Sequence, residues 1–381
     1  MSYSTPGVYI KEVEMGAKPV EGVSTSTVGF VGITETGSEY RDKPVFISSW
    51  GNFVEKFGRY TSTAPYMAPA VFSFFANGGT RCYVVSVETD YVGTDSGGTR
   101  TGLQALSEVD DVSIVAIPGI TDATVQSAMI THCETLKDRF CIFDSKKGED
   151  LEAIGVRKNA LSSEGGYGAL YYPWIEMGVE QEDATTHKIS TTPMLVPPSG
   201  AIAGIYARSD TERGVHKAPA NEIVRGAVAL EKNLTAADQG PLNIAGINCI
   251  RSFTGRGIRV WGARTISSDA SWKYVNVRRL FIYLEESIDE ATQWVVFEPN
   301  SEKLWARVKQ TISNFLMQTW KEGALMGTTP EEAFFVKCDR NTMTQNDIDN
   351  GRLIVEIGVA PVKPAEFVIF KIAQWTGSSD K

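Results

Sequence analysis

The chain has 381 residues, 42% of them hydrophobic and 22% charged, the composition of a globular protein long enough for two or three domains. A formal net charge of −9 argues against a surface generally complementary to nucleic acid or an anionic membrane, although a local basic face remains compatible with it. No run of about 18 apolar residues occurs, so no membrane insertion is expected, and the five scattered cysteines, without C-x-x-C spacing, read as reduced thiols of a protein made in a cytosol.

Residues Met1–Gly7 lack the basic and apolar regions of a signal peptide. Pro6–Glu14 alternates as a strand, with Val8 and Ile10 on one face and Tyr9 and Lys11 on the other, and Gly16, Pro19 and Gly22 follow as a linker. Such a strand is either an edge of its own domain or an addition to another subunit's sheet. Thr27–Ile33 and Val45–Ile47 read as strands, Ser49–Phe57 as a short helix capped by Ser49, and Pro65–Asn77 as a helix stopped by Gly78-Gly79. Strand Cys82–Val87 precedes a Gly/Thr/Asp-rich loop, 90–102. A turn at Gln104–Ser107, strand Val112–Ile117, helix Thr124–Asp138 and strand Phe140–Asp144 then form a βαβ unit, which implies a mostly parallel sheet. Leu151–Asn159 is a further helix and Ala169–Trp174 a further strand. Glu176–Thr192 is an exposed hairpin or flap, and Glu222–Leu230 a short helix behind Asn221.

The last third carries the clearest pattern. After Ile247–Ile250 and the turn Thr254–Gly262, helices are expected over Trp272–Thr292 and Glu302–Glu322, then strands over Arg352–Val359 and Glu366–Ile372. In the second helix Leu304, Trp305, Val308, Ile312, Phe315, Leu316 and Thr319 recur at three- and four-residue spacing as one buried stripe. Lys303, Arg307, Gln310, Asn314 and Lys321 form the opposite, basic face, better suited to an acidic protein than to a phosphate backbone.

Catalytic patterns are missing from the sequence. There is no P-loop, no G-x-S-x-G elbow and no H-E-x-x-H, and Gly255-Arg-Gly257 lacks the third glycine of a dinucleotide fingerprint. His132 and Cys133 are helix neighbours pointing about 100° apart, which does not make a nucleophilic pair. An enzyme or ligand-binding reading would have to place its site at the Pro118-Gly119 turn, where a parallel sheet meets a helix. No cofactor or metal is expected.

The stretch Val196-Pro-Pro-Ser-Gly-Ala-Ile-Ala-Gly-Ile-Tyr-Ala-Arg-Ser-Asp-Thr-Glu-Arg-Gly-Val-His-Lys-Ala-Pro-Ala-Asn221 resembles the signature of contractile tail sheath proteins. Pro6–Val13, Val260-Trp-Gly-Ala-Arg-Thr265, Tyr274–Leu280, Phe297–Asn300 and Pro361-Val-Lys-Pro-Ala-Glu-Phe367 match as well, in order along nearly the whole chain. His216 stands where that signature often has tryptophan.

The resemblance implies a virion tail, R-type bacteriocin or related injection-particle sheath, made in the bacterial cytoplasm. Copies would stack as hexameric rings around an inner tail tube protein, between baseplate and tail terminator proteins, with no nucleic acid bound. The fold it implies is an outer α/β domain over residues 26–245, with the flap at 176–192, and an α+β core domain over 246–381. An N-terminal arm and linker, 1–25, joins the core layer. Strand exchange between subunits would use Val8, Tyr9, Ile10, Lys11 and Val13 at one end and Val368, Ile369, Phe370 and Ile372 at the other. Lys303, Arg307 and Lys321 would face the tube.

Overall fold

The computed structural model describes residues 20, 22–183 and 185–369, and it divides into two compact units. One unit contains Val23–Tyr283 and the chain from Pro361; the other contains Leu284–Ala360 and is grouped with the chain up to Gly22. The expected strand Pro6–Glu14, with Val8, Tyr9, Ile10, Lys11 and Val13, lies outside the described residues, as do Phe370 and Ile372.

In the first unit, β1 (Val28–Gly32), β2 (Val45–Ile47), α1 (Trp50–Phe57), α2 (Met67–Ala76) and β3 (Cys82–Ser86) come first. A small ribbon, β4 (Asp95–Ser96) and β5 (Thr99–Arg100), leads to β6 (Ile114–Ala116), α3 (Ala123–Leu136), β7 (Phe140–Asp144), α4 (Leu151–Ala160) and β8 (Gly168–Tyr172). Next come β9 (Ile175–Glu182), β10 (Ile189–Val196), α5 (Ser199–Arg213), β11 (Glu222–Ile223), β12 (Ala227–Leu230) and α6 (Ala236–Ala245). The strands β13 (Ile247–Phe253) and β14 (Gly257–Val260) precede helix α7 (Val275–Thr292), within which the chain passes to the second unit.

A nine-stranded sheet in the order β11-β14-β13-β8-β7-β6-β1-β3-β2 organises this unit, parallel from β13 through β3 and antiparallel at both ends. The apolar runs of β1, β6, β7 and β8 are fully buried because helices cover both faces of a parallel sheet. Local chemistry sets the helix starts: Ser49 Oγ accepts from Asn52 N, Asp122 from Thr124 and Val125, and Asp150 from Glu152 and Ala153. The flap is the hairpin β9–β10, as expected, and β12 completes its three-stranded sheet.

Two expectations change. Glu222–Leu230 is not a helix: Asn221 at φ 60° and Gly226 at φ 82° turn the chain twice, so Glu222 pairs with Val260 and Leu230 with Ile175. The boundary expected between 245 and 246 falls inside the first unit, because β13 pairs in parallel with β8 and the unit runs on to Tyr283.

The second unit contains the C-terminal part of α7, then α8 (Glu302–Lys321), α9 (Pro330–Ala333), β15 (Phe334–Lys337), α10 (Gln345–Asp349) and β16 (Glu356–Val359). Ser301 caps α8 through Leu304 N, and the expected stripe is buried with Thr311 added to it. The strand expected from Arg352 begins only at Glu356, since Arg352 is held in the turn after α10 by Asp347 at 2.8 Å.

Candidate functional site

The Pro118-Gly119 turn is already filled by the chain itself. Asp144, at the C-terminal end of β7, accepts from Gly119 N at 2.9 Å, from Ser199 N at 2.8 Å and from Ser199 Oγ at 2.7 Å. The carboxylate thus ties the turn to the first residue of α5 and satisfies one helix N–H that would otherwise be orphaned. Burial raises the Asp144 pKa to about 6, against these hydrogen bonds, which act to lower it. A surface groove of about 540 Å³ between α3 and α4, lined by Ala123, Ala153 and Val156 among others, does not reach the turn. His132 faces Arg139 Nη1 at 3.4 Å, whereas Cys133 Sγ faces Cys141, so the two side chains do not converge. Among the described residues no group of His, Cys, Asp and Glu could hold a metal, and no helix is long and apolar enough to cross a membrane.

The stretch Val196–Asn221 builds the centre of the fold rather than a reactive site. Every residue of α5 from Ser199 through Ser209 is buried. Gly200 and Gly204, one turn apart, let α5 lie against α2 backbone to backbone: an added Cβ would sit 2.2 Å from Ala70 O at the first and 2.4 Å from Phe74 O at the second. At the far end of α5, Asp210 pairs with Arg279 at 2.6 Å, and both side chains are buried, 6% and 3% exposed. Arg279 also donates to Thr25 O at 2.7 Å, and Thr25 Oγ1 donates to Asp210 Oδ2 at 2.7 Å.

A second charged cluster holds the segment that returns from the second unit. Glu366 accepts from Arg264 Nε at 2.8 Å and Nη2 at 2.6 Å, from Asn243 Nδ2 at 3.0 Å and from Tyr274 Oη at 3.2 Å. Arg264 also donates to Asn243 O at 2.7 Å. Burial alone would raise the Glu366 pKa, but the hydrogen bonds from Arg264 and Asn243 hold it below the ordinary value. Four residues earlier in the segment, Val362 O accepts from Asn276 Nδ2 at 3.2 Å. Neither cluster was readable from spacing, since Asp210 and Arg279 lie 69 residues apart and Arg264 and Glu366 lie 102 apart.

Past Glu366 the polypeptide turns outward: Phe367, Val368 and Ile369 are 71%, 69% and 79% exposed. The strand expected over Glu366–Ile372 is not formed in its described part, where residues 366–369 pair with no strand. Pro361 and Pro364 leave the preceding segment two backbone donors short, and no neighbouring strand is offered among the described residues. In the second unit, β15 and β16 form an isolated antiparallel ribbon, with one edge of each strand unpaired among the described residues. On α8, Lys303, Arg307 and Lys321 are exposed as expected, with Lys309 beside them, and the Arg307 guanidinium lies 4.2 Å from the Trp294 ring centroid.

Comparison with known proteins matches residues 90–266 to the phage tail sheath protein central domain and residues 267–374 to the phage tail sheath C-terminal domain. A putative prophage major tail sheath protein of Pseudomonas aeruginosa is 24% identical, with 97% of each chain covered. The sheath of an extracellular contractile injection system, PVC, in its contracted state is 33% identical over 98% of both chains, with a TM-score of 0.80. A chain of the anti-feeding prophage baseplate is 34% identical, covering 98% of this chain and 100% of its own, with a TM-score of 0.75.

Proposed function

The chain belongs to the phage tail sheath family, and on that footing we propose that it is the sheath subunit of a contractile injection machine, stacked as hexameric rings around an inner tube that the shortening stack drives through a target envelope. It is a structural protein and not an enzyme. The observation that carries this reading is the whole-chain likeness to a contractile sheath, 33% identity with a TM-score of 0.80. The likeness to a baseplate chain supports contact with a baseplate at one end of the stack; a terminator at the other end and synthesis in the bacterial cytoplasm belong to the same reading.

Within such a stack, the nine-stranded sheet and the flap form the outer layer. Neighbouring copies are joined by strand exchange, through Val8–Val13 at one end and Val368, Ile369, Phe370 and Ile372 at the other. Support comes from the exposed Phe367–Ile369 and from the β15–β16 ribbon, whose outer edges are unpaired among the described residues and which is marginal on its own. About five backbone hydrogen bonds, at roughly 0.5–1.5 kcal/mol net each, give a few kcal/mol per join. Contraction is then the release of a metastable extended lattice, without nucleotide hydrolysis. The basic face Lys303/Arg307/Lys321 docks on an acidic tube surface.

Electron microscopy of the purified protein, alone and with its tube protein, tests this. Hollow tubes with six-fold symmetry are expected, and monodisperse monomers under every condition would overturn the sheath reading. The triple variant K303E/R307E/K321E should lose docking on the tube and still form tube-free polymers; unchanged docking would remove the tube-facing assignment alone.

A further inference from the structure

Two clamps, one for each end of the described chain, are built on the start of the same helix. Tyr274, immediately before α7, and Asn276, in its first turn, hold the returning segment at Glu366 and Val362. Arg279, one turn further, holds the opposite end of the chain at Thr25 through Asp210. Positions 276 and 279 are i, i+3 neighbours, with Cβ atoms about 5–6 Å apart. Thr25 and Glu366 are therefore both held at one seat, the first two turns of α7 with α5 and α6 beside it.

We propose that this seat is a positioning device for assembly: Glu366, gripped by Arg264, Asn243 and Tyr274, fixes the point and direction from which the C-terminal extension reaches a second copy of this chain, in step with the N-terminal end held by Arg279. Three features favour that role over a purely internal one. The segment 361–366 is stiffened by Pro361 and Pro364 and pinned at Val362 and Glu366, so little freedom remains at its end. Immediately beyond the pin, three consecutive large apolar side chains face solvent, an arrangement that needs cover from another molecule. The clamp is a polar cluster at the margin of the first unit's apolar core, beside Leu242, Ala263 and Val275, with Glu366 19% and Arg264 10% exposed. A pinned extension loses less freedom when it binds than a loose one, and preorganisation of that kind raises affinity without adding a contact.

The proposal rests on the strand-exchange reading, so E366Q is compared with a deletion of residues 367–381. Three quantities are measured: thermal melting of the monomer, the critical concentration for polymerisation, and the mobility of a spin label at V368C in the monomer. For E366Q the expected result is melting within about 3 °C of the parent, a critical concentration raised about tenfold or more, and a label that becomes mobile. R264K, which keeps the charge but loses the two-pronged grip, should fall between E366Q and the parent. Normal assembly of E366Q together with failure of the deletion would overturn the clamp and leave strand exchange standing. Normal assembly of the deletion would remove strand exchange at this end and the clamp with it. A fall in melting of more than about 10 °C in both E366Q and R264K would make Glu366 a fold-holding residue and also overturn the proposal.

Discussion

Asp210→Ala is the substitution whose cost the structure fixes best. It leaves the Arg279 guanidinium, in a side chain 3% exposed, without the carboxylate that lies 2.6 Å away. Removing one partner of a buried ion pair typically costs about 3–5 kcal/mol, because the remaining charge stays desolvated and uncompensated. Two contacts survive and place the cost at the lower end. Thr25 O still accepts from Arg279 Nη2, and the Tyr206 ring centroid still lies 4.6 Å from the guanidinium carbon. A loss of about 3 kcal/mol is expected, or roughly 6–12 °C in melting for a unit of this size. The double variant D210L/R279M removes both charges and keeps apolar volume, and it should lie within about 1–2 kcal/mol of the parent. Urea unfolding of the parent, D210L, R279M and D210L/R279M at pH 7, below the polymerisation concentration, gives the coupling energy directly. A loss below about 1 kcal/mol in D210A, or a double variant as damaged as the sum of the singles, would refute the pairing argument.

Gly204→Ala should cost about 1–3 kcal/mol by pushing α5 away from the Phe74 carbonyl, and Gly200→Ala about as much against Ala70; parent-like denaturation midpoints would show that the two helices can separate freely. Asp144 gives a pH signature. Its folded pKa of about 6 stands above its ordinary value of 3.8, so between these values the folded state binds more protons than the unfolded chain. Stability from this group is therefore complete below about pH 4 and is lost as pH rises through about 6, by up to about 3 kcal/mol. The unfolding free energy of the parent relative to D144N should fall by that order between pH 4 and pH 7, and a difference independent of pH would mean that the carboxylate is not desolvated.

Most of the first unit was legible because its determinants are local. Continuous apolar runs such as Phe140–Asp144, side-chain caps such as Ser49, and the stop at Gly78-Gly79 act within a few residues, and each produced the element expected of it. The α8 stripe was legible for the same reason, since helical period alone separates Leu304, Val308 and Phe315 from Lys303 and Arg307. Glu222–Leu230 failed because its backbone is decided by partners far away. Val260 and Ile175 take its hydrogen bonds, and Asn221 and Gly226 supply left-handed turns that an apolar pattern does not reveal. The charged clusters were invisible in a different sense. Arg264, Asp210, Arg279 and Glu366 could each be seen, but nothing in spacing says which acid meets which base.

The expected C-terminal strand makes a sharper point about what a single chain can display. The apolar run within Glu366–Ile372 has the composition of a strand, yet its described part, Phe367–Ile369, stands exposed and pairs with no strand among the described residues. A strand pattern is a statement about a partner, because an apolar extended segment is stable only once its backbone groups are paired and its side chains covered. Within this chain the segment carries two prolines and is fixed by Glu366 to Arg264. The pattern and the pin therefore conflict only if the molecule is meant to be complete alone. Under the proposed strand exchange between identical copies they agree: the pin would aim the segment, and a neighbouring copy would supply the edge it meets.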